Sequence, residues 1–152
     1  MSHSNSDPDC QICEANASGS SLFENDLWVV GPMSLGVAVP GWMVMRSRRH
    51  VGGPAHFNDA EAANFGPALR HLERTLEEVT GALRIYTAAW GESVAHFHAH
   101  LIPRYESMPV DGKPWALFDR IGAEETAGSE AAEVSRVAEA YGSRLRAEPP
   151  PR

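Results

Sequence analysis

Residues 96–102 read His-Phe-His-Ala-His-Leu-Ile, with three histidines at alternate positions. Side chains alternate between the faces of a β-strand, so on a strand His96, His98 and His100 share one face. Phe97, Ala99 and Leu101 then share the other. A helix would send His98 to the side opposite its two neighbours. The apolar residues between the histidines favour the strand, so the segment belongs in a sheet with a core on one face and imidazoles on the other. Positions i and i+2 of a strand lie about 6.5–7 Å apart, and the outer histidines about 13 Å apart. Zinc–imidazole bonds are only about 2.0–2.1 Å long, so one ion held by all three is a poor fit. A division of labour along the strand follows, with one end holding metal and the middle doing chemistry. His3, in a polar tail, and His71, on the polar side of a helix, read as ordinary polar residues, as does His56.

Cys10 and Cys13 are the only cysteines of the chain. A disulfide framework for a domain this long needs more than two. A C-x-x-C pair is then a metal half-site, a redox motif or an accident of sequence. The redox motif opens a helix, whereas Cys13 precedes Glu14-Ala-Asn-Ala-Ser-Gly-Ser, which reads as turn. Metal is favoured, and two further ligands must come from elsewhere in the chain.

With 152 residues the chain fits one domain able to bury its own core. Thirteen Lys+Arg against twenty Asp+Glu give a formal net charge of -7. That acidic balance lacks the field of a general nucleic-acid binder. No run approaches the ~18 apolar residues of a membrane span. Residues 1–9 are polar and carry no apolar signal segment, so they read as a disordered tail. A soluble, cytoplasmic protein that engages neither nucleic acid nor membrane is expected.

Residues 27–30 read as a strand, and 35–39 and 42–45 as two more, with a hairpin break at Pro40-Gly41. Residues 46–50 are a basic segment containing Arg48, Arg49 and His50. A helix begins at Asn58, with Glu61 as its capping-box partner. Ala62, Phe65, Leu69, Leu72, Leu76 and Val79 form its apolar stripe, and Gly81 its C-cap. Gly66-Pro67 predicts a kink or two helical pieces. Strands at 83–90 and 94–105 flank a turn at Gly91-Glu92-Ser93. A helix at 130–146 carries Val134, Val137, Ala138, Tyr141 and Leu145 on one stripe. The class is α+β with an antiparallel sheet.

In their order along the chain, several of these residues carry a resemblance. They are Cys10-x-x-Cys13, Phe23-Glu24-Asn25-Asp26, Pro40-Gly41-Trp42 leading to Arg48-Arg49-His50, and the helix ending at Gly81. Gly91-Glu92-Ser93, the triad itself and Pro103-Arg104 complete them. The chain resembles the histidine triad superfamily, whose signature alternates histidine with hydrophobic residues. The resemblance covers residues 10–106 as the domain and leaves 107–152 as a C-terminal extension. It implies a two-layer fold with a five-stranded antiparallel sheet, one long helix and one or more short ones, and a homodimer.

It also implies a nucleotidyl hydrolase or transferase acting at the α-phosphorus of a dinucleoside polyphosphate or nucleoside phosphoramidate. The middle histidine, here His98, is the implied nucleophile and would form a covalent nucleotidyl-histidine. His96, His100 and Ser93 complete the implied catalytic set. Ser93, Glu92, His100 and Trp28 are the expected substrate-binding residues. In zinc-bearing members the metal sits on residues matching Cys10, Cys13, His50 and His96. That set would hold one structural zinc per chain, with no organic cofactor. Two positions depart from common relatives: Glu92 stands in place of glutamine, and Gly31-Pro32 in place of an acidic residue that grips ribose. A zinc-stabilised nucleotide-binding module with little turnover is the alternative reading.

Overall fold

The helix Asp59–Thr80 is held at both ends by its own sequence. The Asn58 side chain accepts from the Glu61 backbone N–H, and the Glu61 carboxylate accepts from the Asn58 N–H, both at 2.9 Å. Gly81 closes the helix in the left-handed region at φ 67°. The helix runs through Pro67 as one element, not as two pieces. Its buried positions, Glu61, Asn64, Ala68, Leu72, Thr75 and Leu76, keep helical phase across the proline, so packing outweighs one lost backbone hydrogen bond. The stripe is rotated from the expected one: Ala62 is exposed, while polar Glu61 and Asn64 are buried with partners.

The computed structural model describes residues 6–33, 39–108 and 128–152. In chain order the elements are α1 (Gln11–Ala17), β1 (Phe23–Glu24), β2 (Trp28–Pro32) and β3 (Met43–Ser47). A 3-10 turn (Pro54–His56), α2 (Asp59–Thr80), β4 (Arg84–Ala89), β5 (His98–Arg104) and α3 (Gly128–Ala147) follow. The strands form one five-stranded antiparallel sheet in the order β1-β2-β3-β5-β4. The α+β class and the five-stranded sheet agree with the sequence expectation.

One face of the sheet carries Trp28, Val30, Met43, Met45, Ala99 and Leu101 into the core. There they meet Ala68, Leu72 and Leu76 of α2 and Tyr141 and Leu145 of α3. The helix expected at 130–146 is therefore a core helix, and the Tyr141 hydroxyl donates to the Leu72 carbonyl at 3.0 Å. Beyond it, the Pro151 carbonyl accepts from Asn64 Nδ2 at 2.8 Å, tying the C-terminal residues to α2. Tight approach fixes the entry to β3: Gly41 has φ 82°, and a Cβ there would lie 2.8 Å from Thr80 Cγ2. The opposite face carries Val44, Arg46, His98 and His100, which line the site described below.

Two further sequence expectations change. Residues 14–17 continue the helix α1, so the C-x-x-C pair does open a helix, contrary to the sequence expectation, and residues 18–20 lie beyond its end. The last strand begins at His98 rather than at 94, so His96 precedes it. The strand read at 35–39 falls largely outside the described residues, as do residues 1–5 of the expected tail, and the neighbours of β3 are β2 and β5.

Candidate active site

His98 and His100 stand on one face of β5, with Ala99 and Leu101 turned into the core, as strand alternation requires. The register sets Arg46 opposite His98, and Val44 and Ala88 on either side of His100. These histidines line a cavity of about 400 Å³ with Arg46, Trp90, Glu92 and Ser93, closed on one side by Gln11 and Ile12 of α1. The size suits a small organic ligand.

Each triad histidine has one ring nitrogen fixed by a partner. His98 Nδ1 lies 2.7 Å from the His96 carbonyl oxygen. A carbonyl only accepts, so Nδ1 carries a proton, and in the neutral ring Nε2 is the nitrogen with the lone pair. His100 Nδ1 lies 3.1 Å from Trp42 Nε1. An indole only donates, so here Nδ1 is the bare nitrogen and Nε2–H is the donor. His96 Nε2 lies 2.8 Å from the Ser47 carbonyl, so it donates there and leaves Nδ1 free. Two adjacent imidazoles, with ring centroids 5.4 Å apart, thus offer opposite functions: His98 a lone pair, His100 a proton.

Burial, and secondarily the neighbouring His98, lowers the His100 imidazole from 6.5 to about 4, so the ring is neutral at physiological pH. Burial also lowers His96, opposed by its bond to Ser47 and assisted by the charges of His50, His98 and Arg46.

The free nitrogen of His96 points to a second cluster. Its Nδ1 lies 3.4 Å from both Cys10 Sγ and Cys13 Sγ, and His50 Nδ1 lies 3.4 Å from Cys13 Sγ. All four ligand atoms fall within 4.8 Å of one another. A tetrahedral zinc with bonds of about 2.0–2.1 Å to nitrogen and 2.3 Å to sulfur separates N from S by about 3.5 Å. The cluster fits that ion, and the Ser47 carbonyl supplies the outer hydrogen bond that orients a ligating imidazole. Cys13 Sγ also accepts the Asp7 N–H at 3.4 Å. Burial raises the Cys13 thiol above its ordinary value, and a bound metal would have to displace that proton. Bound zinc would supply no chemistry to the cavity: it would cross-link the start of α1 to the segment before β5.

No protein-family model matches the sequence, and no curated protein matches it. Solved structures do match the fold. A histidine triad protein from Bradyrhizobium japonicum superposes with a TM-score of 0.66 at 20% identity, over 82% of this chain and 89% of that one. One from Marinobacter aquaeolei gives 0.63 at 21%, over 90% and 98%. A zinc-bound histidine triad family protein from Mycobacterium smegmatis gives 0.62 at 16%, over 91% and 96%.

The chain has the histidine triad fold.

On this fold the structure brings together His98, His100, Ser93 and Glu92 in one cavity and Cys10, Cys13, His50 and His96 in the metal cluster. Trp28 is a correction. It was expected at the substrate, yet it is only 1% exposed, on the core face. Its indole donates to Asn64 Oδ1 at 2.8 Å and packs against Phe57, Phe65 and Phe97. Arg48 and Arg49 do not line the cavity that holds His98 and His100. Arg48 Nε donates to the Asn25 carbonyl at 2.6 Å, and Arg49 forms two bonds of 2.7 Å with Glu61. The residues that sequence reading passed over are Trp42, Trp90 and Arg46. The Trp90 ring packs at a tilt of 50° beside His100, with centroids 5.5 Å apart. With Met43 and Met45 on the core side, strand alternation turns positions 44 and 46 to the other face, and the register sets them beside His100 and His98.

Proposed function

We propose that this protein is a nucleotidyl hydrolase or transferase of the histidine triad type, with His98 as its nucleophile. The observation that carries the reading is the 2.7 Å contact from His98 Nδ1 to the His96 carbonyl, which leaves Nε2 as a lone pair in the cavity. Imidazole is a good nucleophile near neutral pH when unprotonated. Nε2 attacks the α-phosphorus, forms a P–N bond and expels the leaving group with the bonding electron pair. Water or another acceptor then attacks the same phosphorus, breaks the P–N bond and returns His98 to its starting state.

The transition state needs charge stabilisation more than covalent assistance. The His100 Nε2–H and the Ser93 hydroxyl are the donors assigned to the phosphoryl oxygens. Glu92, which lines the same cavity, is assigned to the leaving-group side. The ligand class is a dinucleoside polyphosphate or a nucleoside phosphoramidate. Zinc on Cys10, Cys13, His50 and His96 is structural in this reading, and the working unit is a cytoplasmic homodimer.

The test is nucleoside monophosphate release from a panel of adenosine phosphoramidates and dinucleoside polyphosphates, with wild type and His98→Ala side by side. Release by wild type alone is expected, and the ranking names the leaving group. Equal release by His98→Ala would contradict the mechanism. Nucleotide binding without release from any substrate would favour the zinc-stabilised binding module instead.

A further inference from the structure

We propose that Arg46 binds a second anionic group of the substrate, a phosphate distinct from the one attacked by His98; this deepens the nucleotidyl reading and rests on it. Arg46 lines the same cavity as His98 and His100. Its backbone pairs with His98 of β5 on one side and Val29 of β2 on the other. The side chain leans toward β2: Nη2 lies 3.1 Å from where a Cβ on Gly31 would sit. A Cβ at residue 31 would crowd the guanidinium, which would have to give by a few tenths of an ångström.

Neighbouring strands lie about 4.8 Å apart, so β2 and β5, on either side of β3, are separated by about 9–10 Å. His98 rises from β5 and the guanidinium lies over β2. That span exceeds one phosphate group, so a substrate that reaches both presents two separate groups. Arg48 and Arg49 are paired with Glu24 and Glu61. Arg46 forms no ion pair among the described residues, and its buried Nε has no hydrogen-bond partner there. Burial disfavours its charge, so the fold carries a cost at this position that an anion would offset. A planar guanidinium matches phosphate through paired N–H donors. Dinucleotide sites use an arginine in this way to accept a phosphate on the ribose. The same chemistry would serve a phosphate farther along a polyphosphate chain.

Calorimetric titration separates these sources. Wild type, Arg46→Met and Gly31→Ala are each titrated with AMP, adenosine 2′,5′-bisphosphate, adenosine 3′,5′-bisphosphate and α,β-methylene-ATP. At least one ligand with an added phosphate should bind wild type about 10–100-fold more tightly than AMP, the worth of a charge-assisted bond. The favoured ligand tells ribose phosphate from chain phosphate. The advantage, taken in each protein as the ratio to its own AMP affinity, should vanish in Arg46→Met and shrink in Gly31→Ala, whose Cβ presses on the guanidinium while leaving its charge. AMP binding without preference, or a preference that survives in Arg46→Met, overturns this inference alone. Failure of wild type to bind any of the four overturns the nucleotidyl reading as well.

Discussion

Trp42 donates from Nε1 to Nδ1 of His100 across 3.1 Å and so decides which imidazole nitrogen faces the cavity as a donor. Phenylalanine at 42 keeps the ring and loses the proton. Trp42→Phe frees His100 to flip tautomer or to take a proton on Nδ1, and either change weakens its donor. One neutral hydrogen bond is worth about 0.5–1.5 kcal/mol, so kcat/KM should fall about 3–10-fold, mainly through kcat. The acid limb of the rate profile should also move to higher pH. An unchanged profile would show that Trp42 only packs.

His100 also predicts a pH dependence of stability. In the unfolded chain its imidazole takes a proton below 6.5, while in the fold it resists until about 4. The unfolded state therefore binds more protons between these values, and stability falls as pH drops from 6.5 toward 4, remaining full above 6.5. The whole effect is about 3 kcal/mol, of which about 2 kcal/mol is lost by pH 5. His100→Gln should lose about 2 kcal/mol less than wild type between pH 7 and pH 5 in denaturant titrations. Parallel losses in both proteins would refute the assignment.

The metal cluster joins residues 10 and 13 to residues 50 and 96. A cross-link of that reach couples ion binding to folding. Elemental analysis should give one zinc per chain, and Cys13→Ser should lose it. Chelation should lower Tm by about 10 °C, equivalent to about 3–5 kcal/mol in a domain of this size. A metal-free protein with the Tm of the purified one would show that the cluster is not a structural site.

Glu61 is a carboxylate with a side chain only 1% exposed, bridged by Arg49. Burial alone would raise its pKa, but the Arg49 bonds and the Asn58 N–H prevail and hold it below the ordinary value. Arg49→Met leaves that charge unpaired and should cost about 3–5 kcal/mol. Adding Glu61→Gln, which keeps the cap but removes the charge, should recover part of the loss. Equal stability of wild type and Arg49→Met by denaturant titration would refute the role.

Much of this was legible in the chain. Alternation placed His98 and His100 on the face opposite Ala99 and Leu101, and Asn58, Glu61 and Gly81 marked both ends of α2. Local patterns cannot show what distant contacts decide. Seven residues of α1 lack the length to form a helix alone. They are held by tertiary bonds such as Asn16 Nδ2 to the Ser47 carbonyl at 3.0 Å. His96 leaves the strand because its ring serves the metal cluster while its carbonyl holds His98. Trp28 was misplaced because an aromatic on a strand suits a pocket and a core equally. Only the register, with Trp28 opposite Ser47, put it on the core side.

The central claim is a covalent bond from phosphorus to His98 Nε2, and trapping it is the direct test. Wild-type protein is mixed with the fastest substrate of the panel, quenched within one turnover, digested and analysed by mass spectrometry. The account predicts a nucleoside monophosphoryl group on the peptide containing His98, formed before product appears and absent from His98→Ala. Product release with no adduct on that peptide, or an adduct on another residue, would contradict it.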